Sequence, residues 1–106
     1  MLFLPPKLHG MQQDFTLIDN EAERQFQFDL EDGERAFITY RWLGEVIVLM
    51  HTEVPENAAG KGIASQLALK AFTALRAKGI KAKIYCAFLL SYLKRHPEWN
   101  DSVAEQ

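Results

Sequence analysis

The sequence predicts an α+β domain: a mixed, mostly antiparallel sheet with helices packed on it and one parallel strand–helix–strand crossover. Two observations carry this expectation. The first half alternates apolar and polar residues in short runs separated by tight-turn signals, the pattern of an antiparallel meander. The second half opens with a β-branched apolar run, passes through a glycine-bearing turn into a long helical repeat, and then returns as a second short strand. A strand–helix–strand unit of this kind is right-handed, and its two strands run parallel.

Residues 1–13 read as an irregular lead-in, because Pro5-Pro6 disfavours helix and no periodicity is present. Residues 14–18 suggest a first short strand, and residues 19–23 an acidic turn. In residues 24–30, Phe26, Phe28 and Leu30 would face the core while Gln25, Gln27 and Asp29 face water. Asp32-Gly33 is a strong hairpin signal. In the next strand, Ala36, Ile38, Tyr40 and Trp42 share one side. Leu43-Gly44 forms a second tight turn. Residues 45–53 then read as a central strand covered on both faces, with Val46, Val48 and Met50 opposite Ile47 and Leu49. Pro55 ends it, since proline cannot donate to a ladder.

A helix is expected over residues 60–78. Its apolar arc comprises Ile63, Ala64, Leu67, Ala68, Ala71, Phe72, Ala74 and Leu75; Leu69 is an exception on the polar side, and Gly79 is a C-terminal stop. Residues 81–86 form the second parallel strand, with Ala82, Ile84 and Cys86 alternating against Lys81, Lys83 and Tyr85. A final helix over residues 87–95 is stopped by Pro97, and residues 100–106 read as a polar tail. Trp42 is expected in the core and Trp99 at an edge.

Bulk properties narrow the function. A chain of 106 residues with 48% hydrophobic and 25% charged residues is expected to form a single globular domain. A net charge of −2 without a basic run argues against nucleic acid as a partner. No apolar run reaches the roughly 18 residues of a membrane span. The single cysteine, Cys86, forms no internal disulfide and completes no thiolate metal site, so no metal and a cytoplasmic setting are expected.

The turn after the central strand carries the chemistry. Gly60 and Gly62 open a helix, where glycine lets the backbone approach a ligand and free first-turn N–H groups favour an anion such as a phosphate or pyrophosphate. A P-loop requires glycine where Pro55 stands and Ser or Thr where Gly62 stands. A dinucleotide fingerprint requires glycine where Ser65 stands. The turn instead resembles the acyl-CoA turn of the GNAT N-acetyltransferases, written Gln/Arg-x-x-Gly-x-Gly/Ala. Residues 57–62 match it at both glycines and depart from it at Asn57.

With the preceding meander, the stretch His51-Thr52-Glu53-Val54-Pro55, the Gly60-Lys61-Gly62-Ile63-Ala64 turn and the Cys86…Phe88…Tyr92…His96-Pro97-Glu98 spacing, residues 14–99 resemble the minimal GNAT-like N-acetyltransferase family, the small GCN5-like domain proteins of NATD type. The resemblance implies a GNAT-like α/β/α sandwich that uses acetyl-CoA and lacks the early helices and late hairpin of larger members. It implies that Ala59, Gly60, Lys61, Gly62, Ile63 and Ala64 bind the CoA diphosphate. It further implies that the edge formed by His51, Thr52, Glu53 and Val54 pairs with the pantetheine arm, and that Cys86, Phe88 and Tyr92 line the thioester end. Cys86 is then the candidate nucleophile, His51 or Glu53 the base for an amine acceptor, Tyr92 the acid for the leaving thiolate, and His96 a residue closing the site. The acceptor, a protein lysine or a small molecule, is not written in the sequence. The chain is expected to be a monomer or weak dimer. The competing reading is a non-catalytic acyl-CoA-binding or sensor module, which the small size favours.

Overall fold

The computed structural model describes residues 13–104, so all but the last residue of the lead-in expected over residues 1–13, and the last two residues of the expected tail, lie outside the described residues. In chain order the elements are β1 (Ile18–Asn20), β2 (Gln25–Asp29), β3 (Arg35–Leu43), β4 (Val46–Glu53), a short 3₁₀ turn (Glu56–Ala58), α1 (Ile63–Ala77), β5 (Ala82–Ile84), α2 (Ala87–Arg95) and a 3₁₀ helix (Pro97–Ser102). The five strands form one sheet in sequence order. β1 through β4 pair antiparallel, and β4 pairs parallel with β5. This is the mixed sheet with one crossover that the sequence predicts.

The hairpins follow their turn residues. Leu30 N–H donates to the Glu34 carbonyl at 2.8 Å, Asp32 Oδ1 accepts from Glu34 N–H at 3.0 Å, and Gly33 between them has φ +86°. The β3–β4 turn centres on Gly44, at φ +61°. The helix α1 begins at Ile63 rather than at residue 60, because Gly60 and Gly62 both lie in the left-handed region, at φ +80° and +75°, and cannot join the right-handed spiral. Its buried face is Ile63, Leu67, Ala68, Ala71, Phe72 and Leu75, while Leu69 is exposed. Gly79 at φ +70° ends it, and Ile80 N–H reaches back to the Leu75 carbonyl at 2.9 Å.

One continuous core joins Phe26, Phe28, Ile38 and Leu49 of the sheet to Phe72 of α1 and Leu89 of α2. Phe72 stacks on Tyr92 at 6.2 Å and on Trp99 at 5.9 Å, so a run of aromatic rings ties both helices to the C-terminal segment.

β4 carries one residue more than its partner. Thr39 pairs with His51 and Tyr40 with Leu49, which leaves Met50 unpaired as a β-bulge. Alternation therefore slips at Met50. Ile47 and Leu49 face the core before the bulge. After it Thr52, opposite the buried Ile38, faces the core, while His51 and Glu53 sit opposite Thr39 and Phe37 on the other face.

Several expectations change in detail. The first strand lies at Ile18–Asn20 rather than residues 14–18, where Phe15 instead stacks on Phe28 at 5.2 Å. Gln25 and Gln27 are buried rather than facing water. Side-chain amides explain this: Asn20 Nδ2 and Gln25 Nε2 donate to Gln27 Oε1 at 2.9 and 3.0 Å, and Gln27 Nε2 donates to Asp29 Oδ1 at 2.8 Å. A connected polar ladder on a sheet face is hidden without loss because each buried group is partnered. Met50 on the central strand is exposed by the bulge. The two tryptophans exchange places: Trp42 is 48% exposed and only edges onto Tyr40, whereas Trp99 is 7% exposed. Residues 97–102 are no free tail. The Arg76 guanidinium lies 4.1 Å from the Trp99 ring, donates to the Glu98 carbonyl at 2.7 Å and pairs with Asp101, and Val103 bridges to Ala82 at the sheet edge.

Two outcomes follow for stability. Trp99→Ala opens a cavity beside Phe72 and should lower unfolding free energy by about 3–5 kcal/mol in a denaturant titration; a loss under ~1 kcal/mol would mean that the segment is a dispensable tail. Tyr40 O–H donates to Asp19 Oδ1 at 2.5 Å, and burial together with that carboxylate raises the phenol above its ordinary value near 10. The contribution is fully present below pH 10 and fades as pH rises from there toward the folded value. Tyr40→Phe should cost about 1 kcal/mol at neutral pH and should lessen the alkaline decline in melting temperature. An unchanged alkaline decline would refute the assignment.

Candidate functional site

The β4–α1 turn presents bare backbone donors. Gly62 caps α1 without a side-chain hydrogen bond, and no acidic residue occupies the first helical turn. Among the described residues, the free N–H groups at this end of α1 are therefore left for solvent or an anion, and the helix dipole favours the anion. Ala59, Gly60 and Lys61 are exposed, Gly62 and Ala64 are half-buried, and Ile63 is buried as the anchor. A side chain at Gly60 or Gly62 would be strained by the left-handed φ in itself. The turn is also tied from outside. Asn57 Nδ2 donates to Asp32 Oδ2 at 2.9 Å, joining the tip of the β2–β3 hairpin to this loop. That bond, then the Glu34 N–H, and more weakly the Lys61 charge hold the Asp32 carboxyl below its usual range. This tether has no sequence signal, since the partners are distant in the chain and both are ordinary turn residues.

Beside the turn the sheet opens. The β4–β5 ladder pairs Ile47 with Ala82 and Leu49 with Ile84, and Tyr85 N–H donating to the Leu49 carbonyl at 2.9 Å extends it. The paired register stops there, yet β4 continues through Met50–Glu53. Two parallel strands parting at their carboxyl ends leave a main-chain edge open to an extended ligand. Cys86 stands two residues past the end of β5 and is the N-cap of α2, with Leu90 N–H donating to its carbonyl at 3.0 Å. Its side chain is buried, and its sulfur lies 3.1 Å from Thr52 Oγ1. The slip at Met50 brings these two together. Unbroken alternation would instead have turned His51 and Glu53 toward the core.

His51 and Glu53 pair with each other, Nε2 to Oε1 at 3.1 Å, on the exposed opposite face. Val54 is half-buried. Tyr92 is 3% exposed in an aromatic stack with Phe72, Phe88 at 6.4 Å and His96 at 4.3 Å. Burial, and next the Glu98 carboxylate, push its phenol above the ordinary value. The indole N–H of Trp99 is buried without a hydrogen bond of ordinary geometry, and its nearness to the Tyr92 oxygen offsets a little of that rise. His96 Nδ1 faces Glu98 at 3.5 Å. The structure thus brings Cys86 and Thr52 together beside the open edge, groups His51 with Glu53 on the other face, and places Tyr92, Phe88 and His96 in the stack that seats α2.

Comparison with known proteins agrees with this geometry. A family model described as GCN5-related N-acetyl-transferase matches residues 25–102. Over 80 residues the chain is 38% identical to the protein NATD1 of Mus musculus, covering 74% of this chain and 73% of that protein, and 38% identical to NATD1 of Homo sapiens, covering 71% of it. The fold is similar to the solution NMR structure of a GCN5-like protein from Staphylococcus aureus, with a TM-score of 0.66 at 23% identity over 90% of this chain and 93% of that one. With the uncapped glycine turn, the parted strands and the matching model covering most of its length, the chain belongs to the GCN5-related N-acetyltransferase family.

Proposed function

We propose that this protein transfers the acetyl group of acetyl-CoA to an amine. The observation that carries the reading is the juxtaposition of the bare α1 N-terminus with the open β4 edge that ends beside Cys86. The N–H groups of residues 62–65 suit the CoA diphosphate, and the neighbouring Lys61 adds a cation. The amides of the pantetheine arm pair with the β4 edge over residues 51–54, as an added strand would. The thioester then lies in the gap next to the Cys86 sulfur.

In this reading Cys86 acts as thiolate. Its sulfur bonds to the acetyl carbon, the carbon–sulfur bond to CoA breaks, and CoA leaves as a thiolate that takes a proton. A neutral amine then attacks the S-acetyl group, forming the amide and freeing the Cys86 sulfur. The amine proton leaves to solvent; the exposed His51–Glu53 pair, an imidazole oriented by a carboxylate, is the candidate acceptor and, lying on the opposite face of β4, receives it through water and not by direct contact. Tyr92 keeps its proton throughout the physiological range and serves chiefly to seat α2; donation to the leaving thiolate is its proposed further role. The alternative of a binding or sensor module predicts the same ligand without turnover.

Acetyl-CoA should raise the melting temperature and shift the backbone amides of residues 59–63 in a ¹H–¹⁵N spectrum. Gly62→Val, which forces a branched residue into a left-handed conformation, should weaken binding at least tenfold, or about 1.4 kcal/mol. No response of wild type to millimolar acetyl-CoA would end the proposal. With a panel of amines, CoA release should fall to background in Cys86→Ala, and Glu53→Gln should lower it at fixed acetyl-CoA affinity. A Cys86 acetyl adduct that no amine discharges would instead establish the sensor alternative.

A further inference from the structure

We infer that Thr52 is a positioning residue for Cys86: its hydroxyl donates to the sulfur and holds it as the thiolate that attacks a thioester. The inference deepens the reading above and rests on it for the thioester, but not for the state of the sulfur. Thr52 is on β4 and Cys86 lies between β5 and α2, past the point where the pairing of the two strands ends, and their 3.1 Å contact spans that parting. The Met50 bulge is what points Thr52 there, and a bulge next to an active site commonly re-aims one side chain. A hydroxyl can rotate to donate to a sulfur anion, and the N-terminus of α2, which Cys86 caps, favours the same negative charge.

Other groups around the sulfur do not take this place. On β4, His51 and Glu53 face the opposite side and pair with each other. On β5, Lys83 shares the face of Val48, opposite the core, and Tyr85 is exposed. On α2, Tyr92 and His96 belong to the ring stack. On α1, the residues packed into the core are apolar. Among the described residues the Thr52 hydroxyl is the hydrogen-bond partner of the Cys86 sulfur.

Because the chain has one cysteine, alkylation by iodoacetamide reports on Cys86 alone. The thiolate displaces iodide, so the pH dependence of the rate gives the thiol's midpoint. Thr52→Val, nearly isosteric but without the hydroxyl, should move that midpoint up by about one unit and slow alkylation at pH 7 about tenfold. Thr52→Ser should restore the wild-type profile. Thr52→Ala gives a second hydroxyl-free profile should valine disturb the fold, as judged by melting temperature. A midpoint that stays in place or falls in both hydroxyl-free variants overturns the inference. The rate at which acetyl-CoA acetylates Cys86, followed by mass spectrometry, should drop by the same factor in Thr52→Val. If alkylation depends on Thr52 as stated while acetyl-CoA never labels wild type, the assignment of Thr52 stands and the acetyl-CoA reading fails.

Discussion

An extra residue in β4 sets where every later side chain of that strand points. Strand side chains alternate with a period of two, so one insertion exchanges the faces of all that follow. Before Met50 the strand sends Ile47 and Leu49 into the core; after it Thr52 takes the core side. The same insertion accompanies the end of pairing with β5, which stops at Leu49 and Ile84. A β-bulge bends its strand and increases its twist, so the exchange of faces and the opening of the sheet have one origin.

The two ends of that gap are prepared in different ways. At the α1 end, a pair of left-handed glycines stops the helix from starting early and leaves its first N–H groups uncapped. Ordinary proteins satisfy such donors with Ser, Thr, Asp or Asn at the N-cap. A glycine cap with no acidic neighbour keeps the positive end of the helix available. The Asp32–Asn57 bond fixes the loop from the hairpin side, so the turn is held by a contact that does not occupy its donors.

At the α2 end, position is set by rings. Phe72 stacks on Tyr92 and Trp99, Tyr92 on His96, and Arg76 covers Trp99. Large flat side chains bury much area with few rotatable bonds, which makes them suited to fixing one helix against another. Since Cys86 is the first residue outside α2, the stack at the far end of that helix determines where the sulfur sits. The segment after Pro97 therefore helps to seat α2 although it lies away from Cys86.

Much of this was legible in the residues. The period-two runs, Asp32-Gly33 and Gly44 gave the meander; the apolar arc from Ile63 to Leu75 gave α1 with its buried face; Gly60 and Gly62 gave the turn that leaves the start of α1 uncapped. These are local signals, in which backbone sterics and hydrophobic period act within a few neighbours. The amide ladder that hides Gln27, the burial of Trp99 instead of Trp42, the Asp32–Asn57 tether and the Thr52–Cys86 contact were not legible. Each depends on which residue of another segment stands opposite, and at Met50 on a shift of register that changes no local pattern. Composition and spacing by themselves determined the elements, their order and the glycine turn that opens α1; the pairing of strands in three dimensions decided which side chains meet, because a single slipped residue reverses the direction of all that come after it.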